Sequence, residues 1–141
     1  MKHLLILISF LLLSSPVIGQ SSKVEKQWTK QLGTVSDDWG MGISTDSSGN
    51  IYVTGYTEGG LDGNTNSGSY DMFLVKYNSS GIKQWTKQHG TSNMDSGRGI
   101  STDSSGNIYV TGYTKGGLDG NTNSGNYDIF LMKYNSSGIG Q

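Results

Sequence analysis

The chain has 141 residues, ten Lys and Arg against eleven Asp and Glu, a net charge of −1 at pH 7, and no cysteine. That balance leaves no basic footprint for nucleic acid. The missing thiols exclude a disulfide framework and a cysteine nucleophile, and the length suits one small domain. Twenty-two glycines stand against one proline, with Ser, Asn and Asp clustered between short apolar runs. This pattern predicts an all-β chain with many tight turns.

Lys2 and His3 precede an apolar run at 4–13, which Ser14, Ser15 and Pro16 end. The run is shorter than the about 20 residues a membrane helix needs and has the form of a secretory leader. We expect a signal peptide over 1–19, cut before Gln20, and therefore a secreted or cell-surface protein without a stable membrane span after cleavage. A short segment, 20–25, follows it.

From there the chain is one unit written twice. Gln27-Trp28-Thr29-Lys30-Gln31 returns as Gln84-Trp85-Thr86-Lys87-Gln88, a spacing of 57 residues that holds to the end. The first unit covers 26–82 and the second 83–141. Runs rich in Tyr, Val, Ile, Thr, Phe and Trp predict strands at 26–32, 42–46, 51–57, 71–78 and 83–89, then at 99–103, 108–114 and 128–135. Asp46-Ser47-Ser48-Gly49-Asn50 and Asn78-Ser79-Ser80-Gly81 are the predicted hairpin turns, each with a glycine free to take positive φ. Alternating residues Ile51, Val53, Gly55 and Tyr52, Thr54, Tyr56 make both sheet faces packable, as a sheet between two others requires. A repeat of this length with four strands fits a β-propeller blade.

The stretch from Asp46 to Gly55, repeated at 103–112, and the stretch from Gly68 to Tyr77, repeated at 125–134, resemble the bacterial β-propeller repeat family called SBBP. The resemblance implies two tandem four-stranded antiparallel blades, export or surface association, and no assigned activity. Two blades do not close a ring, because propellers use about four to eight. The second blade is expected to lack its fourth strand, while 26–32 is a spare one. Three expectations follow: a head-to-tail homo-oligomer in which 26–32 completes a neighbour's blade, a fragment of a longer repeat protein without independent function, or a two-blade monomer.

The two copies differ most at 32–41 against 89–98, the stretch read as the blade-to-blade loop. The pairs are Leu32/His89, Val35/Ser92, Ser36/Asn93, Asp37/Met94, Trp39/Ser96 and Met41/Arg98. Variation on a fixed frame marks binding surfaces, although loops also drift freely. Asp37, Asp38, Trp39, Asp95 and Arg98 are the ligand-face candidates, for a protein or glycan ligand. Most other aromatic residues are assigned to blade packing. Asp62, Asn64 and Asn66 alternate like the first ligands of a Ca²⁺ loop, with Asp71 closing it; Asp119, Asn121, Asn123 and Asp128 repeat them. The glycine is one place late and the closing Glu is missing, so local Asx turns compete with calcium. Catalysis is not expected. His89 with Asp95 is the nearest approach to a triad, and nothing orients the pair. The leading reading is an exported, non-catalytic interaction scaffold, and the alternative is a Ca²⁺-assisted carbohydrate-binding module.

Overall fold

The computed structural model describes residues 23–141; the leader expected at 1–19 lies outside the described residues. Seven strands follow: β1 (Asp38–Thr45), β2 (Ile51–Thr57), β3 (Asp71–Tyr77), β4 (Lys83–His89), β5 (Asp95–Thr102), β6 (Ile108–Thr114) and β7 (Asp128–Tyr134). They form two antiparallel sheets, β1-β2-β3-β4 and β5-β6-β7, each in chain order. Single 3-10 turns at Leu61–Gly63 and Leu118–Gly120 interrupt the long β2–β3 and β6–β7 connections. Among the described residues no helix is long and apolar enough to cross a membrane.

The motif from Asp46 to Tyr52 is one device for making a hairpin. Asp46 Oδ1 accepts from the backbone N–H of Ser48 and Asn50, both at 2.9 Å. Its Oδ2 accepts from Asn50 Nδ2 at 2.8 Å and Tyr52 OH at 2.9 Å. Gly49, at φ 76°, turns the chain between them. Asp103 repeats all four bonds with Ser105, Asn107 and Tyr109. A half-buried carboxylate with four donors orders a tight turn that the backbone alone would hold loosely.

The first strand of each sheet starts four residues before the expected 42 and 99. The reason is a β-bulge. Gly40 faces Gly55 and Gly42 faces Thr54, which leaves Met41 as the extra residue; Gly97 and Gly99 likewise flank Arg98. A Cβ on Gly55 would fall 1.8 Å from Trp39 O, and one on Gly112 would fall 1.8 Å from Ser96 O. Glycine at the partner position is what lets the strand run past the bulge. Trp39, Met41, Ser96 and Arg98 are therefore strand residues, a correction to the loop expected there.

The sheets stack face on face. Tyr52, Met72 and Leu74 of the first sheet form one core with Ile108, Val110 and Tyr134 of the second; Trp85, Ile100, Phe130 and Met132 close around it. A smaller cluster, Leu61, Phe73 and Val75, lies on the other face of the first sheet with Leu32, Val53 and Tyr77. Residues 26–32, expected as a strand, make no strand ladder. Their side chains nevertheless stand where a preceding outer strand would. A Cβ at Gly81 would come 3.1 Å from the Trp28 indole, and one at Gly138 would come 3.1 Å from that of Trp85. Thr34 presses on Gly59 as Thr91 presses on Gly116.

Candidate functional site

The long connections and the starts of β1 and β5 share one rim, and on it the aromatic residues form a ridge. Trp39 stacks on Tyr56 with centroids 6.3 Å apart and planes 15° apart. Tyr56 meets Tyr70 at 5.0 Å. Arg98 bridges the sheets: its guanidinium carbon lies 5.8 Å from the Tyr56 ring and 4.9 Å from that of Tyr113. Tyr113 meets Tyr127 edge-on at 5.1 Å, and Lys115 Nζ lies 4.5 Å above the Tyr127 ring. Trp39 and Tyr127, at the two ends, are about half exposed (54% and 51%). Aromatic faces with an interleaved cation suit flat apolar ligand surfaces and cations alike.

The bulge is what puts Arg98 there. As the unpaired residue it leaves the alternation of β5 and points out of the ladder, the usual effect of a bulge on a side chain beside a site. The ridge also has an acidic end. The Glu58 carboxylate beside Tyr70 raises the pKa of that phenol, with burial and Asp37 acting in the same direction. Asp37 itself holds Glu58 in place through its carbonyl, which accepts the Glu58 N–H at 3.0 Å.

Of the five ligand-face candidates, Trp39 and Arg98 are on the ridge and Asp37 is beside it. Asp38 and Asp95 are not ligand-facing; they anchor the connections. Asp38 Oδ2 accepts from the Thr34 N–H and, at 3.1 Å, from its hydroxyl, and Oδ1 accepts from the Thr57 hydroxyl. Asp95 is fully buried and accepts from Thr91 N–H at 2.6 Å and Thr91 Oγ1 at 2.9 Å. Both carboxylates close the turn that leads into a first strand. His89 Nε2 lies 3.0 Å from Asp119 Oδ1, so the pairing with Asp95 considered from the sequence does not form.

Most of the eight residues read as calcium ligands have a polar atom engaged in a local hydrogen bond or ion pair. Asp62 bonds Lys83 Nζ and Thr86 Oγ1 on β4, which together outweigh the effect of burial and hold its pKa low. Asn64 Nδ2 donates to Leu61 O at 2.6 Å, and Asn66 Oδ1 accepts from Gly68 N–H at 2.9 Å. Asp71 Oδ2 accepts from Ser67 N–H at 2.8 Å, while its Oδ1 is buried beside Gly90 without a hydrogen-bond partner. The centre of the loop belongs to a neutral amide. Gln88 Oε1 accepts from Leu61 N–H at 2.9 Å, while its Nε2 donates to Gly59 O at 3.0 Å and Asp71 Oδ2 at 3.1 Å. In the second copy Asn121, Asn123 and Asp128 keep the local bonds, and Asp119 faces His89. Among the described residues no three His, Cys, Asp or Glu side chains gather as a metal set.

Sequence reasoning missed Tyr56, Tyr70, Tyr113 and Tyr127, which it assigned to packing between blades. The available signal was position: all four lie at the strand ends that enter or leave the long loops, whereas fully buried Tyr52 lies beside the tight turn.

A repeat that folds into an open four-stranded sheet, stacks on its own copy and carries variable residues at one rim defines a class, the β-propeller repeat proteins. The chain belongs to the SBBP β-propeller repeat family, whose repeat matches residues 27–62 and again 84–119. It is also similar to the regulatory protein FlaEY of Caulobacter vibrioides, 29% identical over 125 residues that cover 81% of this chain and 13% of that protein. An uncharacterized WD repeat-containing protein of Acanthamoeba polyphaga mimivirus is 27% identical over 126 residues, covering 77% of this chain and 9% of its own length. The chain thus spans a small part of the curated relatives it matches.

Proposed function

We propose that the protein is an exported, non-catalytic interaction scaffold whose ligand face is the aromatic ridge. The observation that carries this reading is the unbroken line from Trp39 through Tyr56 and Arg98 to Tyr113 and Tyr127, which runs across both sheets. Motif residues of the repeat are engaged in holding turns, so the variable residues on the rim are the ones free to meet a partner. The leader-like segment at 1–19 supports the extracytoplasmic setting. A regulatory relative and a WD repeat-containing relative are in keeping with a role in binding.

Carbohydrate binding is the second reading, favoured by the near-parallel stack of Trp39 on Tyr56, a platform of the kind sugar rings use. This platform lies apart from the Asp-Asn loops, whose side chains are mostly engaged in local bonds, so binding there is expected without calcium. The test is binding of the purified chain to a glycan array and to a panel of cell-envelope proteins, with Trp39→Ala and Arg98→Met alongside. Loss of the bound ligand in both variants, unaffected by a calcium chelator, supports the ridge. A catalytic turnover that survives purification and dies with one substitution would overturn the scaffold reading.

A further inference from the structure

We infer that a second copy of this chain completes the second sheet: residues 28–32 of one copy add to the edge of β7 in another, continuing the short ladder that Gly140 and Gln141 begin, and the two copies stack as the two sheets of one copy already do. The contact between first and second sheet is the pattern. On the first sheet Met72 and Leu74 are fully buried by it, while their repeats Ile129 and Leu131 are 90% and 74% exposed. The complementary face shows the reverse. Ile108 and Val110 are fully buried, Ile43 is 69% exposed where its repeat Ile100 packs, and a cavity of about 380 Å³ lies open beside Trp28, Leu32, Ile43, Val53 and Phe73. One face lacks what the other offers. The same displacement that carries the first repeat onto the second would seat Ile129 and Leu131 of one copy in that cavity of the next.

The edge geometry agrees independently. β7 pairs with β6 on one side; on the other side, among the described residues, only Gly140 and Gln141 begin a ladder, at Tyr134 and Lys133. Residues 26–32 already lie in the place of an outer strand but, among the described residues, pair with no strand. Carrying the β3–β4 register forward pairs Ile129 with Leu32, Leu131 with Lys30, and Lys133 with Trp28 of the other copy, from Met72–His89, Leu74–Lys87 and Lys76–Trp85. Gln31 would then enter the loop at 116–128 as Gln88 enters 59–71, donating to Asp128 and accepting from Leu118 N–H. An exposed strand edge beside an exposed apolar face is the combination that invites such pairing. The contact is head-to-tail, so it closes into a ring or propagates. It stands whether or not the rim binds a ligand.

The chain has no cysteine, which makes the test clean. Lys30→Cys with Leu131→Cys places one thiol on each side of the inferred ladder, within disulfide reach if the register is right. The expected result is oxidised chains linked to one another, reversed by reductant, with Lys30→Cys and Gly125→Cys as an unlinked control. Light scattering of the unaltered protein should give a mass several times that of one chain, discrete for a closed ring and rising with concentration for an open array. Leu131→Asp should return it to monomer with its β circular dichroism retained. A folded monomer at all concentrations overturns the inference, and so does an oligomer in which the Lys30/Leu131 pair stays unlinked or links within one chain.

Discussion

Arg98 Nη2 donates to Tyr113 OH at 2.8 Å, across the bulge of β5 and onto the strand beside it. The same guanidinium reaches Tyr56 on the other sheet, so one residue outside the ladder ties together the two halves of the ridge. Its counterpart Met41 stands in the same bulge without that charge. Arg98→Met should therefore fold as before. The cost in urea denaturation should be about 0.5–1 kcal/mol, the range of exposed cation–π contacts, with altered tyrosine and tryptophan emission. A loss several times larger would mean that Arg98 supports the fold.

The bulges themselves depend on glycine opposite them. Gly55→Ala or Gly112→Ala would drive a methyl group into a strand carbonyl 1.8 Å away, and the register beyond it could not hold. A loss of at least about 3 kcal/mol is expected, at the upper end for overpacked sites. Gly63→Ala is the comparison. Its φ is 79°, but nothing lies within 4 Å of the added carbon, so only the backbone penalty of about 1–2 kcal/mol applies. Thermal melts of the three variants would separate the two causes.

Leu74 and Leu131 occupy the same place in the two repeats and should behave differently. Leu74→Ala empties a site in the core between sheets and should cost about 2–5 kcal/mol. Leu131→Ala in dilute monomer should change stability by about 0.5 kcal/mol or less. At concentrations where copies associate, the second substitution should weaken the association instead, which analytical ultracentrifugation would read.

Two carboxylates in the hairpin turns make the fold acid-sensitive. Burial raises the Asp46 pKa, but hydrogen bonds from Asn50 and Tyr52 and from two backbone N–H groups outweigh it and hold the value below the ordinary 3.8 of a free aspartate. At Asp103 the bonds from Asn107 lead, with the same direction. A lowered folded pKa means that the contribution is complete above the unfolded carboxylate pKa and is lost as pH falls through the folded one. The melting temperature should fall on acidification below about pH 4, near that unfolded value. Asp103→Asn should remove part of that fall.

At the alkaline end Tyr134 reports on the core between sheets. Burial first, and the charge of Asp119 second, push its pKa from 10.0 up to about 12. Stability from this group is complete below 10.0 and is lost as pH rises toward that value. Tyrosinate absorbance should show a late-titrating phenol that disappears in Tyr134→Phe.

The strands at 51–57, 71–78, 83–89, 108–114 and 128–135 were legible because apolar alternation and glycine-bearing turns coincide there. The start of β1 was not, since Gly40-Met41-Gly42 reads as loop and only the tertiary fit of Gly55 makes it a bulge. Residues 26–32 have strand composition yet no ladder, because a strand needs a partner that pattern cannot supply. The Asp62, Asn64, Asn66 spacing suggested oxygens around an ion. What no local pattern could reveal is that Gln88, from a strand about twenty residues on in the chain, fills the centre with an amide. The ridge was half legible: Trp39 stood out by differing from Ser96, whereas Tyr56 and Tyr113 are the same in both copies and gave no contrast.

The bulge residue belongs to no pairing, so its side chain can change from methionine to arginine while every neighbouring contact of the ladder stays as it was. Each repeat therefore carries one replaceable character in a fixed frame, shown on the same rim at intervals of 57 residues. Adding repeats lengthens the text without redrawing the page, and a change of recognition asks for one codon in one copy.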